Sequence, residues 1–190
     1  MTRESSRLNL KGNATKFKDD DYETPKEIIE DIIKFIPDNV KTIYDPFYCK
    51  GNIVKAFNDL GYKCINEKKD AFNREHPKDD EYELIFSNVP FSLKKESFKL
   101  FESLNKPYII LTTVDYMGSN GISDFFDNLQ FILPKSRYWF LKNNESKSGA
   151  WFDTCFYCKG LKLEKDIINL KEKKQLTIHQ FNKLKNKNID

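Results

Sequence analysis

Apolar residues follow two alternating patterns along the first two thirds of the chain. Short apolar runs predict strands at residues 40–45, 62–66, 82–88 and 107–113. Apolar stripes with helical spacing predict helices at residues 24–36, 53–61 and 92–105. Strands that alternate with helices in this way are typical of an α/β fold with right-handed crossovers. We therefore expect a mostly parallel sheet with helices on both faces.

The last third of the pattern is richer in strands. After a short predicted helix, apolar runs indicate strands at residues 130–134, 137–141 and 150–157. The polar stretch KNNESKSG, residues 142–149, separates the last two runs and indicates a hairpin loop. Because an antiparallel segment commonly lies at the edge of such sheets, we expect an antiparallel edge hairpin here.

The first helix has a clear start signal. Thr24 suits the N-cap, Pro25 suits the first helical position, and Glu27 completes a capping box. These residues predict that the helix begins directly after Thr24.

Length and charge predict one domain between two polar ends. The 190 residues suffice for a single core, and basic residues are concentrated near both termini. We expect an N-terminal arm at 1–21, a folded domain at 22–165 and a basic segment at 166–190. The net charge of +3 does not by itself indicate a nucleic-acid partner.

No run approaches the ~20 apolar residues of a membrane span, and the polar N-terminus lacks a secretory signal. We expect an intracellular protein with no membrane partner.

Cys155 and Cys158 form a C-x-x-C pair, a spacing that occurs in zinc and redox sites. A second ligand pair is missing, and the chain has only two histidines. The pair also lies in a predicted strand, where positions three apart point to opposite faces. We therefore expect structural cysteines and no metal site.

Three of the predicted strands lead into polar or acidic turns. The first is followed by DPFYCKG at 45–51, the second by Glu67 and Asp70, and the third by NVPF at 88–91. Any one of these loops is ordinary, because Asp, Asn, Gly and Pro favour turns. Together they place polar groups at the carboxyl ends of parallel strands, where open α/β sheets bind ligands.

These motifs resemble those of the class I S-adenosylmethionine-dependent methyltransferases, and specifically the enzymes that methylate adenine at N6. The resemblance runs from about Tyr22 to Cys158, and it is strongest for a small single-domain type known from viruses and phages. The family's D-P-F-x-x-x-G motif is intact at 45–51, and its [D/N/S]-P-P-[Y/F/W] motif is matched at 88–91. An upstream Thr-Pro pair at a helix start, here Thr24-Pro25, also fits. The resemblance implies a Rossmann-like class I methyltransferase fold and a cytoplasmic, nuclear or viral-factory location.

The resemblance also implies which residues bind the cofactor, S-adenosyl-L-methionine. Asp45 would accept hydrogen bonds from its amine, Glu67 would hold the ribose hydroxyls, and Asp70 would accept from the adenine amine. Gly51 would let the backbone approach the ligand closely, and Phe47 or Phe72 would pack on the adenine ring. The full predicted set is Tyr22, Thr24, Asp45, Pro46, Phe47, Gly51, Glu67 and Asp70.

The catalytic residues implied by the resemblance are Asn88, Val89, Pro90 and Phe91. The Asn88 side-chain oxygen and the Val89 carbonyl would accept hydrogen bonds from the two N–H groups of adenine N6. An exposed Phe91 ring would stack on the base. The family normally has proline where this chain has Val89. Valine keeps the carbonyl, and Pro90 biases it toward extended backbone, although some rigidity is lost.

The partner implied by the resemblance is nucleic acid, with DNA favoured and RNA as the alternative. The chain has no room for a separate target-recognition domain, so recognition would fall to loop 142–149, the two tails, a partner subunit or a homodimer. Lys94, Lys95 and Lys99 follow the motif and could meet the phosphate backbone, although they equally suit a solvated helix face. Another alternative is a catalytically weak scaffold of the same fold. A nicotinamide-binding protein is disfavoured because no G-x-G-x-x-G opens the first crossover helix.

Overall fold

The computed structural model describes residues 23–142, 145–146 and 152–170. Three α-helices lie in this part of the chain: α1 (Lys26–Ile32), α2 (Asn52–Asp59) and α3 (Lys94–Ser103). The strands are β1 (Thr42–Tyr44), β2 (Lys63–Ile65), β3 (Leu84–Asn88), β4 (Tyr108–Thr113), β5 (Leu129–Leu133), β6 (Leu141–Lys142), β7 (Glu145–Ser146), β8 (Thr154–Lys159) and β9 (Ile167–Asn169).

Seven of these strands form one sheet in the order β2-β1-β3-β4-β8-β5-β9. Parallel pairing joins β2 to β1, β1 to β3, β3 to β4 and β5 to β9. Only β8 runs against its neighbours, β4 and β5. The predicted α/β architecture with a mostly parallel sheet is therefore confirmed.

The predicted position of the antiparallel segment is wrong. β8 lies inside the sheet, between β4 and β5, and residues 154–158 are all buried. A strand covered on both faces and both sides needs no polar alternation, which is why the run CFYC at 155–158 is continuously apolar. The predicted strand at 137–141 is also absent from the sheet. Instead, β6 and β7 form a separate small hairpin.

The sheet is packed on both faces, as predicted. One core lies under α1 and α2, and its largest members include Ile28, Phe57 and Phe86. The other lies under α3 and includes Phe98, Phe101 and Tyr157. Residues 154–158 contribute to both cores alternately: Cys155 belongs to the second and Cys158 to the first. This placement supports the expectation that both cysteines are structural.

Two helix predictions need correction. Pro25, not Thr24, occupies the N-cap of α1, and no side-chain hydrogen bond caps that end. Thr24 is instead used in a tertiary hydrogen bond, described below. The predicted helix near residue 125 is a single 3-10 turn at Ser123–Phe125, because its short apolar pattern supports only one turn before β5 begins.

The sheet extends beyond the predicted end of the domain. β9 at Ile167–Asn169 pairs with β5, so part of the segment placed at 166–190 belongs to the fold. The arm at 1–21 lies outside the described residues, as do residues 171–190. Among the residues described, none of the helices has the length and apolar character needed to cross a membrane.

Candidate functional site

The strand order reverses at β1. The chain passes from β1 to β2 on one side and then returns to β3 on the other side. In open α/β sheets such a switch point opens a crevice at the carboxyl ends of the strands, and ligands bind there. A cavity of about 620 Å³ occupies this position, a volume typical of small-molecule sites. Its lining combines residues 47–50, 68–72 and 88–91 with Leu93.

The three predicted polar turns therefore converge on one cavity. The turn after β1 contributes Phe47, the loop after β2 contributes Asp70, and the end of β3 contributes Asn88. Asp45, Pro46, Gly51 and Glu67 are not among the lining residues. Tyr22 lies outside the described residues.

The Asn88 amide is held on one side only. Its Nδ2 donates to Thr24 Oγ1 at 3.1 Å, across 64 residues of chain. Its Oδ1 is buried and has no hydrogen-bond partner among the described residues. A buried polar atom without a partner costs free energy and calls for an explanation, such as a ligand that supplies the missing donor. The bond to Thr24 fixes the amide so that this oxygen is left as the acceptor.

Val89 is fixed by the sheet. It is 2% exposed, and its N–H donates to the Leu111 carbonyl at 3.3 Å. Pro90 follows with an extended backbone and precedes a 3-10 turn at Phe91–Leu93. Val89 is thus a buried, sheet-anchored residue of the turn.

The predicted exposure of the Phe91 ring is wrong. Phe91 is only 7% exposed, because Phe152 packs edge-to-face against it with ring centroids 4.6 Å apart. Phe152 follows the hairpin region and precedes β8. The sequence around Phe91 therefore does not indicate that Phe152 covers its ring. Phe91 still lines the cavity, but as part of a packed aromatic pair.

Asp45 is buried behind the turns that border the cavity. Its Oδ1 accepts from Ser87 Oγ at 2.6 Å and from the Phe47 N–H at 3.2 Å. It thereby ties the loop after β1 to the end of β3. Burial raises the pKa of Asp45 to about 7, and the two hydrogen bonds only partly offset this effect. Its predicted contact with the cofactor amine stays a prediction.

The turn at Cys49–Gly51 has an unusual backbone. Lys50 and Gly51 both have positive φ, 46° and 78°, and the Gly51 N–H donates to the Cys49 carbonyl. Glycine adopts such a φ readily, whereas lysine does so at a cost, which is a feature often found at ligand sites. No atom lies within 4 Å of where a Gly51 Cβ would be, so the space beside it is open.

Glu23 holds this turn and was missed in the sequence. Its side chain is fully buried, Lys50 Nζ donates to its Oε1 at 2.7 Å, and Asn52 Nδ2 donates to its Oε2. Glu23 thus contacts both neighbours of Gly51. No local pattern identifies it, because its partners lie 27 and 29 residues away. Cavity residues Tyr48 and Lys50 were also missed, since both occupy variable positions of the motif.

The loop after β2 is built differently. Glu67 is exposed, and its pKa is lowered by Lys69 at 2.9 Å and by Arg74. Asp70 lines the cavity and accepts from the Phe72 N–H at 2.9 Å, which lowers its pKa. Asp70 thus lies at the cavity, whereas Glu67 does not line it. The ribose-binding role of Glu67 stays a prediction.

Two aromatic rings are in contact at this end of the cavity. Phe47 and Phe72 lie with ring centroids 5.4 Å apart in an edge-to-face arrangement. One comes from the loop after β1 and the other from the loop after β2, so the cavity wall joins both. These are the two rings predicted to pack on a purine.

The lysines after the turn differ from one another. The Lys94 ammonium donates to Thr113 Oγ1 and pairs with Asp115 at 3.3 Å. It also lies over the Tyr116 ring, so its contacts are within the protein. Lys95 lies 3.9 Å from Asp124, and Lys99 is exposed. The predicted phosphate contact is thus disfavoured for Lys94.

The fold is α/β, with a mostly parallel sheet and a cavity at the switch point of that sheet. No protein-family model matches the chain, and no curated protein matches it either. Among the described residues, no cluster of His, Cys, Asp and Glu is suited to hold a metal ion.

Proposed function

We propose that this protein transfers a methyl group from S-adenosyl-L-methionine to the exocyclic N6 of adenine in DNA. The observation that carries the proposal is the buried Asn88 Oδ1, an acceptor without a donor on the wall of a switch-point cavity. An adenine amino group would supply the missing N–H. The motifs at 45–51 and 88–91 support the same reading.

The cavity suits the cofactor in size and lining. Phe47 and Phe72 offer apolar faces for an adenine ring, and Asp70 is an acceptor beside them. Gly51 and the turn held by Glu23 leave open backbone beside the loop after β1. The bound cofactor supplies an electrophilic methyl group on a sulfonium centre.

Asn88 and Val89 activate the amino group by accepting hydrogen bonds from its two N–H groups. Adenine N6 is a weak nucleophile because its lone pair is delocalised into the ring. Acceptors on both N–H bonds favour tetrahedral nitrogen and localise that lone pair. The Asn88 amide is oriented by the hydrogen bond from its Nδ2 to Thr24, and the Val89 N–H is bonded to the Leu111 carbonyl, so both acceptors are preorganised.

No described residue needs to remove a proton before the transfer. Asp45, whose pKa is raised to about 7, is buried behind the cavity and engaged by Ser87 and Phe47. The product nitrogen loses its proton to water after the methyl group has arrived. Positioning of the base and of the cofactor therefore provides most of the rate.

The direct test identifies the methylated nucleoside. The protein is incubated with methyl-labelled cofactor and with separate DNA and RNA pools, which are then digested to nucleosides. We expect label in N6-methyladenine from DNA. Label in RNA alone would replace DNA with RNA as the substrate, and label in 5-methylcytosine would overturn the proposed chemistry.

Asn88→Ala is expected to lower the transfer rate by about 100- to 1000-fold, the usual effect of removing one preorganised polar group from an active site. Cofactor affinity should change much less. Asn58→Ala, an exposed asparagine on α2, is the matched control and should retain full activity. Val89→Pro should retain or improve activity, because it stiffens the turn and keeps the carbonyl.

A further inference from the structure

Exposed apolar side chains are concentrated at the cavity. Six large apolar side chains are exposed in the described part of the chain, and three of them, Tyr48, Phe72 and Leu93, line this one cavity. They come from the loops after β1, β2 and β3, respectively. Apolar surface that is open to water around a pocket with a few polar groups is typical of a ligand site.

The four aromatic rings that line the described part of the cavity have different environments. Phe47 and Phe72 contact each other and form one aromatic pair. Phe91 is covered by Phe152 and has little open surface. Tyr48, by contrast, is 43% exposed, more than any of the other three rings. The cavity therefore has one largely open ring outside the aromatic pair, and that ring is Tyr48.

The turn that carries Tyr48 is held on both sides of this residue. Phe47, directly before it, contacts Phe72 of the loop after β2, with ring centroids 5.4 Å apart. Lys50, two residues after it, is paired with the buried Glu23 carboxylate at 2.7 Å. An exposed ring on an anchored turn loses less conformational freedom when a ligand binds to it.

The same cavity contains the acceptor that lacks a donor. Asn88, whose Oδ1 has no hydrogen-bond partner among the described residues, lines the cavity together with Tyr48. The two are also linked through the chain, because Glu23 holds the Tyr48 turn and the next residue, Thr24, binds Asn88. A ligand with a planar ring and an N–H group would satisfy both the open aromatic face and the acceptor.

We propose that Tyr48 stacks on the target adenine, the role that the sequence resemblance implied for Phe91. This inference rests on the proposed function, because it takes the ligand to be an adenine base of a nucleic-acid strand. Adenine has both features that the cavity requires, a planar ring and an exocyclic amino group. Phe47 and Phe72 remain available for the adenine ring of the cofactor, so each purine has its own aromatic surface.

The test compares two short single-stranded oligodeoxynucleotides, one with a single adenine among thymines and one with thymines only. Their affinities for the full chain are measured by the anisotropy of an end label, with saturating S-adenosylhomocysteine to fill the cofactor subsite. We expect the wild-type protein to prefer the oligonucleotide with adenine. Tyr48→Ala should weaken binding of that oligonucleotide by about 10-fold. Binding of the thymine oligonucleotide should change much less, because thymine has no amino group for Asn88 to hold.

Tyr48→Phe should restore most of the lost affinity, because stacking requires the ring and not the hydroxyl. Calorimetry on Tyr48→Ala should show unchanged affinity for S-adenosylmethionine. Phe126→Ala is the matched control, because this ring is similarly exposed, at 47%, but lies outside the described lining of the cavity. Its removal should not affect binding of either oligonucleotide.

The outcomes separate this inference from the proposed function. If the wild-type protein methylates adenine while Tyr48→Ala binds the adenine oligonucleotide normally, the stacking role is refuted and the proposed function stands. If the preference for adenine depends on Tyr48 but no methyl transfer occurs, the base site stands and the enzymatic proposal falls. A loss of S-adenosylmethionine affinity in Tyr48→Ala would place the ring in the cofactor subsite and refute the inference. A wild-type protein that neither prefers adenine nor methylates it refutes both.

Discussion

The loop after β1 and the loop after β2 carry similar sequence signals but have opposite environments. Each follows a parallel strand directly and places an acidic residue near a phenylalanine. In the first loop Asp45 is 1% exposed, and burial raises its pKa to about 7. In the second loop Asp70 is exposed, and hydrogen bonds from Phe72 and Asn73 lower its pKa.

The difference follows from position in the sheet. β1 has neighbours on both sides, whereas β2 is the edge strand. The loop after β1 is therefore covered by the end of β3, and the loop after β2 is exposed to water on one side. An acidic residue after a strand thus becomes a buried clamp or a solvated surface group, depending on a strand order that local sequence does not specify.

The largest effect is expected from Asp45→Asn, measured without cofactor. The pKa of Asp45 is about 7 in the folded state and near 3.8 when unfolded, so the folded state holds the proton more tightly. This group's contribution to stability is full below about pH 4 and is lost as pH rises toward 7. The variant cannot ionise, so at pH 8 it should be more stable than wild type by roughly 4 kcal/mol.

Urea unfolding at pH 4 and pH 8 measures this difference. At pH 4 the two proteins should differ little, because Asp45 is then protonated and resembles asparagine. Equal differences at both pH values would contradict a raised pKa in the folded state.

The two phenylalanines of the cavity should separate stability from binding. Phe47 is partly buried and its ring lies 6.1 Å from Phe101 of the core, whereas Phe72 is 39% exposed. Phe47→Ala should lower the free energy of unfolding by about 2 kcal/mol, less than the cost for a fully buried ring. Phe72→Ala should leave stability nearly unchanged.

Both substitutions should weaken binding of S-adenosylmethionine, by about 10-fold for Phe72→Ala if the ring packs on the cofactor. Isothermal titration calorimetry measures the affinity, and urea unfolding measures the stability. A large loss of stability in Phe72→Ala would contradict the contrast between the two loops.

The smallest effect is expected from Asp70→Asn, the matched substitution in the exposed loop. The lowered pKa of Asp70 gives a contribution to stability that is present above its unfolded pKa and is lost as pH falls. The variant should be slightly less stable at pH 8 and unchanged at acidic pH, opposite in sign to Asp45→Asn. Unfolding of both variants in parallel checks the sign, and a stabilised Asp70→Asn at pH 8 would break the comparison.

Several site features were predictable from sequence because they depend on the carboxyl ends of parallel strands. The alternation of strands and helices placed Phe47, Asp70 and Asn88 at one edge, and all three line the same cavity. The interior position of β8 was not recognised, although the unbroken apolar run CFYC at 155–158 was its signal. That run is unsuited to an edge strand with a polar side.

Other features depend on partners far along the chain. Thr24 was predicted to cap a helix, but its hydroxyl accepts a hydrogen bond from Asn88. Phe91 was predicted to be exposed, but Phe152 covers its ring. Glu23 is a buried carboxylate only because Lys50 and Asn52 meet it there.

Local sequence is enough to specify the α/β fold class, since periodicity and strand–helix alternation are properties of neighbouring residues. It also determined which residue types follow each strand. Which of these side chains is buried, which is hydrogen-bonded and which is left without a partner follows from the folded arrangement of the strands and loops. Burial and pairing depend on contacts between segments far apart in the chain, and those of Asn88 with Thr24 and of Phe91 with Phe152 each span more than about 60 residues.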